Sequence, residues 1–290
     1  MSHPHLSASA GAYLRLIRFD RPIGSFLLLW PTWWGLWFAA GGPPSAKNLL
    51  VFTAGVFLMR SAGCIVNDFA DRHIDRHVQR TRERPLTSGE IAPREALVFA
   101  TLLALLAFGL VLLTNPLTVW LSVAGLGLAC IYPFMKRFTH LPQFGLGLAF
   151  SWGIPMAFAA ERGTLSPALW LVFLAAVLWS VVYDTFYAMV DRDDDLRIGV
   201  RSTAILFGGA DRAITATLQV VVLVLLALAG AAFGMGLAYG VALGASALLF
   251  GWQQWLLRRR RREDCFRAFL NNNLVGLVVF AGIAVDYALR

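Results

Sequence analysis

Two carboxylate-rich segments hold the groups with which this chain could do chemistry: Asn67-Asp68-Phe69-Ala70-Asp71-Arg72-His73-Ile74-Asp75 and Asp191-Arg192-Asp193-Asp194-Asp195. Such a density of oxygen donors suits Mg²⁺, which keeps several waters and binds through one or two carboxylates plus the phosphates of a substrate. Each segment closes a long apolar stretch, where a carboxylate is costly without a compensating partner. Two such sets predict Mg²⁺ held on a diphosphate, with Asn67, Asp68, Asp71 and Asp75 as ligands on one side and Asp191, Asp194 and Asp195 on the other. The competing reading of the first segment is a solvated loop, salt-bridged to Arg72, Arg76 and Arg80.

Residues three, four or seven apart share a helix face. Arg60, Asn67, Asp71 and Asp75 fall at intervals of 7, 4 and 4, and Asp184, Tyr187, Asp191 and Asp195 at 3, 4 and 4. Each set predicts one polar stripe down one helix, carried a turn or two past the membrane surface, with Pro85 and Gly89 marking where the first cap loop turns. Arg60 and Asp184 lie inside apolar spans, where an ionisable side chain is a functional-site candidate. Arg60 has two readings: a counter-ion for Asp184 or another buried acid, and, preferred, a bidentate clamp on a substrate carboxylate. Lys136 and Arg137, just past the fourth span, are placed either to neutralise a diphosphate leaving group or to anchor topology.

The elements that must hold these residues are membrane helices. Of 290 residues, 58% are hydrophobic and 14% charged. The mean hydropathy is +0.64, a balance no ordinary water-soluble domain of this length shows. Apolar runs long enough to cross a bilayer as helices read at 24–41, 48–66, 96–114, 116–134, 142–160, 168–190, 213–232, 234–256 and 270–288. They predict an all-α polytopic membrane protein of about nine transmembrane helices, a pseudo-twofold bundle with a cytosolic cap over a central cavity. Basic residues concentrate in cytoplasmic loops, and with the N-terminus inside all but Lys47, Arg60, Arg162 and Arg290 fall on that side. The N-terminus is therefore expected in the cytoplasm and the C-terminus outside. The same distribution accounts for the net charge of +8 without a nucleic-acid partner, and makes Arg258 to Arg262 a topology anchor or an anionic-lipid contact.

One domain is expected over residues 1–290. Asn67 to Asp191 and Asp71 to Asp195 are both 124 residues apart, and each acidic segment follows an even-numbered span. That predicts a parallel duplication of four helices, roughly 20–140 and 141–256, followed by a last helix at 270–288. Residues 1–14 are expected to form a disordered tail, and no cleavage pattern follows the first apolar run. Cys64, Cys130 and Cys265 are odd in number and widely spaced, which suits neither a disulfide framework nor zinc. Most of the 10 Trp and 21 Phe fit interfacial belts and lipid-facing surface. A subset would line a groove for an isoprenoid chain and stabilise an allylic cation with their ring faces. Membrane lipids are the expected surroundings, and nothing in the sequence points to a protein partner.

Gly63-Cys64-Ile65-Val66-Asn67-Asp68-Phe69-Ala70-Asp71-Arg72-x-x-Asp75, Arg80-Thr81-x-x-Arg84-Pro85, Tyr187-Ala188-Met189-Val190-Asp191 and Gly199-x-x-Ser202-Thr203 together resemble the UbiA superfamily of intramembrane aromatic prenyltransferases. Arg18-Phe19-Asp20-Arg21-Pro22-Ile23-Gly24, Trp30-Pro31-Thr32 and Tyr132-Pro133-Phe134-Met135-Lys136-Arg137-x-Thr139-His140 look closer still to the branch that prenylates 4-hydroxybenzoate. The resemblance covers nearly the whole chain. It implies a nine-helix bundle in the bacterial inner membrane that joins a polyprenyl tail to 4-hydroxybenzoate in ubiquinone synthesis, with polyprenyl diphosphate as donor and Mg²⁺ as cofactor. It also implies Arg60, Asn67, Arg72, Lys136, Arg137, Asp184 and Tyr187 as substrate-binding residues, with Arg60 on the aromatic acid and Lys136 and Arg137 on the diphosphate. Asp71, Asp191 and Arg137 are the expected catalytic residues, Asp191 activating the phenol or accepting the ring proton. Ala188 stands where some members carry a further acid, which leaves the second metal to Asp191 and Asp195.

Two other classes compete. A secondary transporter also keeps midplane charges and internal repeats, but it would not need so many acids at one mouth. A soluble prenyl diphosphate synthase shares aspartate-rich motifs and is excluded by the hydropathy. Within the superfamily, branches with other acceptors are the close alternatives.

Overall fold

The computed structural model describes residues 10–72, 75–77 and 81–290. Residues 1–9 of the expected tail, His73 and Ile74 of the first acidic segment, and Arg80 of the neighbouring motif lie outside the described residues.

Lipid offers no partner to a backbone N–H or C=O, so each apolar stretch must satisfy its own as a helix. A short helix α1 (Ala10–Leu16) leads into α2 (Ile23–Ala40) and α3 (Ala46–Asp71); after a 3₁₀ turn at Asp75–His77 comes a one-turn α4 (Pro85–Ser88). Then follow α5 (Pro93–Val111), α6 (Pro116–Met135), α7 (Pro142–Ser151), α8 (Gly153–Arg162) and α9 (Leu169–Ile198). The chain ends with α10 (Thr203–Phe207), α11 (Asp211–Ala232), α12 (Leu237–Leu256) and α13 (Arg262–Ala288). Among the described residues, 7 helical stretches are long and apolar enough to cross a membrane on length and composition. The other two expected spans are α2, whose composition is diluted by Trp30, Trp33, Trp34 and Trp37, and α12, which carries Gln253 and Gln254 in its last turn. The chain is an all-helical, multi-pass membrane protein.

Four boundaries differ from the sequence reading, each for a local reason. Residues 10–14, assigned to the tail, belong to α1, because Ala12 and Leu16 sit one turn apart and are both buried against Ile65, Leu86, Ile91 and Ala96. The fifth span is two helices. Pro155 has no N–H to give the carbonyl of Ser151, and the ladder breaks between α7 and α8 at Trp152. Helix α13 starts at Arg262 rather than 270, since Cys265, Ala268 and Phe269 extend its buried face and Glu263 and Asp264 suit the positive end of its dipole. Helix α3 stops at Asp71, so Asp75 is carried by the separate 3₁₀ turn and the first stripe is not one continuous helix.

Helix α9 is the axis of the bundle. It packs against α7, α11 and α13, while α2 lies between α8 and α13. Trp34, Trp179, Tyr183, Phe158 and Phe186 are fully buried where these helices meet. By contrast, α5 and α6 turn Leu102, Leu105, Leu106, Trp120 and Val123 outward, as helices facing lipid do. The loop after α9 is tied to the segment that follows α6. There the Arg201 N–H donates to the Lys136 carbonyl (3.2 Å), and the Arg201 guanidinium donates to the Phe138 carbonyl (2.7 Å).

Candidate active site

A cavity of about 500 Å³ opens at the end of the bundle where α3 and α9 finish. Helix α3 contributes Arg60, Asn67, Asp68 and Asp71, the turn after it Asp75, and α9 contributes Asp184, Tyr187, Asp191 and Asp195. The two stripes read from the sequence therefore share one hollow, with Lys136 from the end of α6 on its wall.

The first acid set is neutralised by cations from three different segments. Arg18 donates from Nη2 to both oxygens of Asp68, at 2.7 and 2.6 Å. Arg84 Nη1 bridges Asp68 at 2.9 Å and Asp75 at 2.7 Å. Lys136 Nζ pairs with Asp71 Oδ2. All three carboxylates are almost wholly buried, so each would be strongly unfavourable without its cation. Arg18 reaches Asp68 from a left-handed backbone, φ +59, a conformation that costs a non-glycine residue about 1–2 kcal/mol. The turn holding it is closed by the Arg18 N–H on the Arg15 carbonyl and the Arg21 N–H on the Arg18 carbonyl.

Deeper in, the guanidinium of Arg60 lies 5.6 Å from the centre of the Phe150 ring. Its Nε is buried without a hydrogen-bond partner, and among the described residues no ion pair joins it to Asp184. The close approach of α2 makes room for it. Gly24 has no Cβ, and one added there would run into the Arg60 guanidinium. The surrounding wall is apolar and aromatic: Leu27, Leu146 and Phe150 on one side, and Tyr187 with Phe266 and Phe269 on the other. The Tyr187 and Phe269 rings stand 4.8 Å apart.

Three residues singled out from the sequence lie off the cavity wall. Arg72 donates to the Phe69 carbonyl (2.7 Å) and sits over the ring of the same residue. Arg137 is exposed and donates to the Ala70 carbonyl at 2.6 Å. Asp194 turns to Arg262, 3.5 Å away. The second acid set thus presents Asp191 and Asp195 to the cavity, with Ala188 beside them. Conversely, sequence reasoning gave no site role to Arg18, Arg84 or Gly24, although the Arg18 to Gly24 segment was among the resembling motifs.

The donors present fit Mg²⁺. They are oxygens throughout, and Asp71 Oδ1 is buried with no hydrogen bond to occupy it. Among the described residues no three acidic, histidine or cysteine side chains converge tightly enough to hold a metal unaided. A cation here would complete its shell with phosphate oxygens and water, as Mg²⁺ does.

The profile of the UbiA prenyltransferase family matches residues 28–276. A 4-hydroxybenzoate octaprenyltransferase of Alkalilimnicola ehrlichii is 58% identical over 286 residues, 99% of this chain and 98% of its own. One of the same name from Pseudomonas syringae pv. syringae is 56% identical over 285 residues, 98% of this chain and 96% of its own. Among solved structures, the apo form of a UbiA homolog from Aeropyrum pernix K1 matches with a TM-score of 0.80 at 26% identity, covering 90% of this chain and 97% of the other. A UbiA homolog from Archaeoglobus fulgidus bound to GPP and Mg²⁺ shares the fold, with a TM-score of 0.73 at 17% identity over 94% of this chain and 99% of the other.

Proposed function

This chain belongs to the UbiA prenyltransferase family, and on that premise we propose that it transfers a polyprenyl group from polyprenyl diphosphate to 4-hydroxybenzoate. The bond forms at the ring carbon ortho to the hydroxyl, and diphosphate is released. Full-length relatives bearing that activity in their names support this acceptor and support octaprenyl diphosphate as the donor. The observation that carries the reading is the vertical order of the cavity. Acids and cations crowd its mouth, aromatic walls follow, and below them the Arg60 guanidinium forms no ion pair among the described residues.

In this assignment the diphosphate lies at the mouth, where Lys136, Arg18 and Arg84 surround its oxygens with positive charge. Asp68, Asp71 and Asp75 on one side and Asp191 and Asp195 on the other would hold Mg²⁺, which when bound supplies further neutralisation of the diphosphate. Breaking the allylic carbon–oxygen bond leaves its electron pair on the diphosphate and positive charge on the prenyl carbon. The ring faces of Tyr187 and Phe269 stand beside that carbon to stabilise it. Arg60 receives the carboxylate of 4-hydroxybenzoate in bidentate fashion and so aims the ring at the cation. The ring carbon attacks, a carbon–carbon bond forms, and the displaced ring proton passes to the Asp191 oxygen that does not hold the metal. Leu27, Leu146 and Phe150 keep bulk water from quenching the cation.

The mouth lies at the end of the bundle where the basic residues concentrate, and Lys47, Arg162 and Arg290 mark the opposite ends of α3, α8 and α13. That charge placement supports an N-terminus and active site toward the cytoplasm, and the bacterial relatives support the inner membrane as its location. The test is mass spectrometry of lipids from membranes given 4-hydroxybenzoate, Mg²⁺ and octaprenyl diphosphate. A product carrying both the acid and the octaprenyl chain is expected. Its absence, with transfer to a different aromatic acceptor, would overturn the assignment.

A further inference from the structure

Asp68 is 1% exposed, and both of its oxygens are held by Arg18 while Arg84 takes one of them as well. Arg18 and Arg84 fill three of the roughly four acceptor positions of this carboxylate, which leaves little room for a metal. A divalent cation brought beside two guanidiniums would also meet like charge with little water to screen it. The arrangement thus resists loading by metal alone. We propose that Arg18 is a placeholder for the cation at Asp68, so that Mg²⁺ enters this half of the site only together with a diphosphate whose oxygens take over the Arg18 guanidinium. The inference rests on the prenyl-transfer reading for the identity of the diphosphate.

Arg18 is the member of the cation set built to move. Arg84 is fixed between two buried carboxylates, Asp68 and Asp75, and Lys136 pairs with Asp71 rather than Asp68. Arg18 belongs to no membrane helix, stands in a left-handed turn between α1 and α2, and lines the cavity wall. Helix α1 does not depend on it. Ala12 and Leu16 are sunk in an apolar cluster, Arg15 pairs with Glu90 and Tyr13 with Glu95. The guanidinium can therefore leave Asp68 for a phosphate oxygen while its turn stays docked. Metal and diphosphate then bind with positive coupling, and by linkage each raises the affinity of the other by the same factor.

The experiment uses the full-length protein in detergent, Mn²⁺ as a paramagnetic stand-in for Mg²⁺, and inorganic diphosphate, with bound Mn²⁺ read by electron paramagnetic resonance. In the natural protein, Mn²⁺ alone should bind about tenfold or more weakly than Mn²⁺ with diphosphate. Arg18→Gln should tighten binding of Mn²⁺ alone by about tenfold and shrink the enhancement by diphosphate by a similar factor. Glu90→Gln, which breaks a contact of α1 without touching Arg18, should match the natural protein in both. If Arg18→Gln does not fold, Arg18→Lys is measured instead; it keeps the charge but loses the fork, and an intermediate affinity for Mn²⁺ alone is expected. Unchanged or weaker binding of Mn²⁺ alone in a folded Arg18 variant overturns the placeholder and leaves the functional reading standing. Failure of every variant, and of the natural protein, to bind Mn²⁺ even with diphosphate overturns both.

Discussion

Gly24→Ala separates function from stability more cleanly than removal of any charged residue. A Cβ at position 24 would lie 2.6 Å from Arg60 Nε and 2.8 Å from its Cζ, where ordinary contact begins near 3.4 Å. The guanidinium must retreat by about 0.6–1 Å to restore normal separation. It is the far end of a flexible side chain facing a cavity, so the move strains no packing. Alanine in the first turn of α2 should cost no stability. What the move changes is the aim of the clamp. A misplacement near 1 Å can cost about 10²-fold, so the KM for 4-hydroxybenzoate should rise about 10- to 100-fold, with the KM for the prenyl donor within about twofold of normal. Initial rates in membranes with each substrate varied in turn measure both constants, and a thermal melt in detergent reports stability. An unchanged KM for 4-hydroxybenzoate, or a rise confined to the donor, would refute the assignment of Arg60 to the acceptor carboxylate.

Other expectations follow from the same geometry. Lys136→Ala, which removes a cation from the cavity wall, should lower kcat by about 10²-fold or more, whereas Arg137→Ala, whose side chain holds the Ala70 carbonyl outside the cavity, should cost less than about tenfold; steady-state kinetics decide the order. Asp211 is completely buried and receives Arg260 and, at 3.6 Å, Arg192. Asp211→Ala should therefore lower the thermal melting point, for a loss of about 1–3 kcal/mol given that both arginines reach solvent, while leaving both KM values unchanged. Chelating Mg²⁺ should abolish transfer, and adding it back should restore the rate, as followed by product formation.

The helices and the two acid stripes were legible because lipid imposes length and hydropathy on every span, and the helical period orders the residues within it. The period even separates members of the second acid set. At about 100° per residue, Asp195 returns to within about 40° of Asp191, while Asp194 swings about 60° the other way and meets Arg262 instead. Lys136 and Arg137 both follow the end of α6, where the helical period no longer orders them, and only the first faces the cavity. Arg18 was hidden for a different reason. A basic residue ahead of the first span looks like any topology anchor, and its inward reach depends on a left-handed backbone at a residue type that rarely adopts one. Asp75 shows the limit of periodicity as well. Its 7, 4, 4 spacing suggested a continuing helix, but α3 ends at Asp71, and Arg84 binds Asp75 at 2.7 Å from beyond the turn.

The central claim, that acids from two separate helices act on one diphosphate, is tested most directly by the Mg²⁺-dependent prenylation rate of Asp71→Ala and Asp191→Ala, each measured in membranes at matched protein levels. Both substitutions should lower kcat by about 10²-fold or more, because each removes a carboxylate from a different wall of the same cavity. A rate close to that of the natural protein in either variant would contradict it.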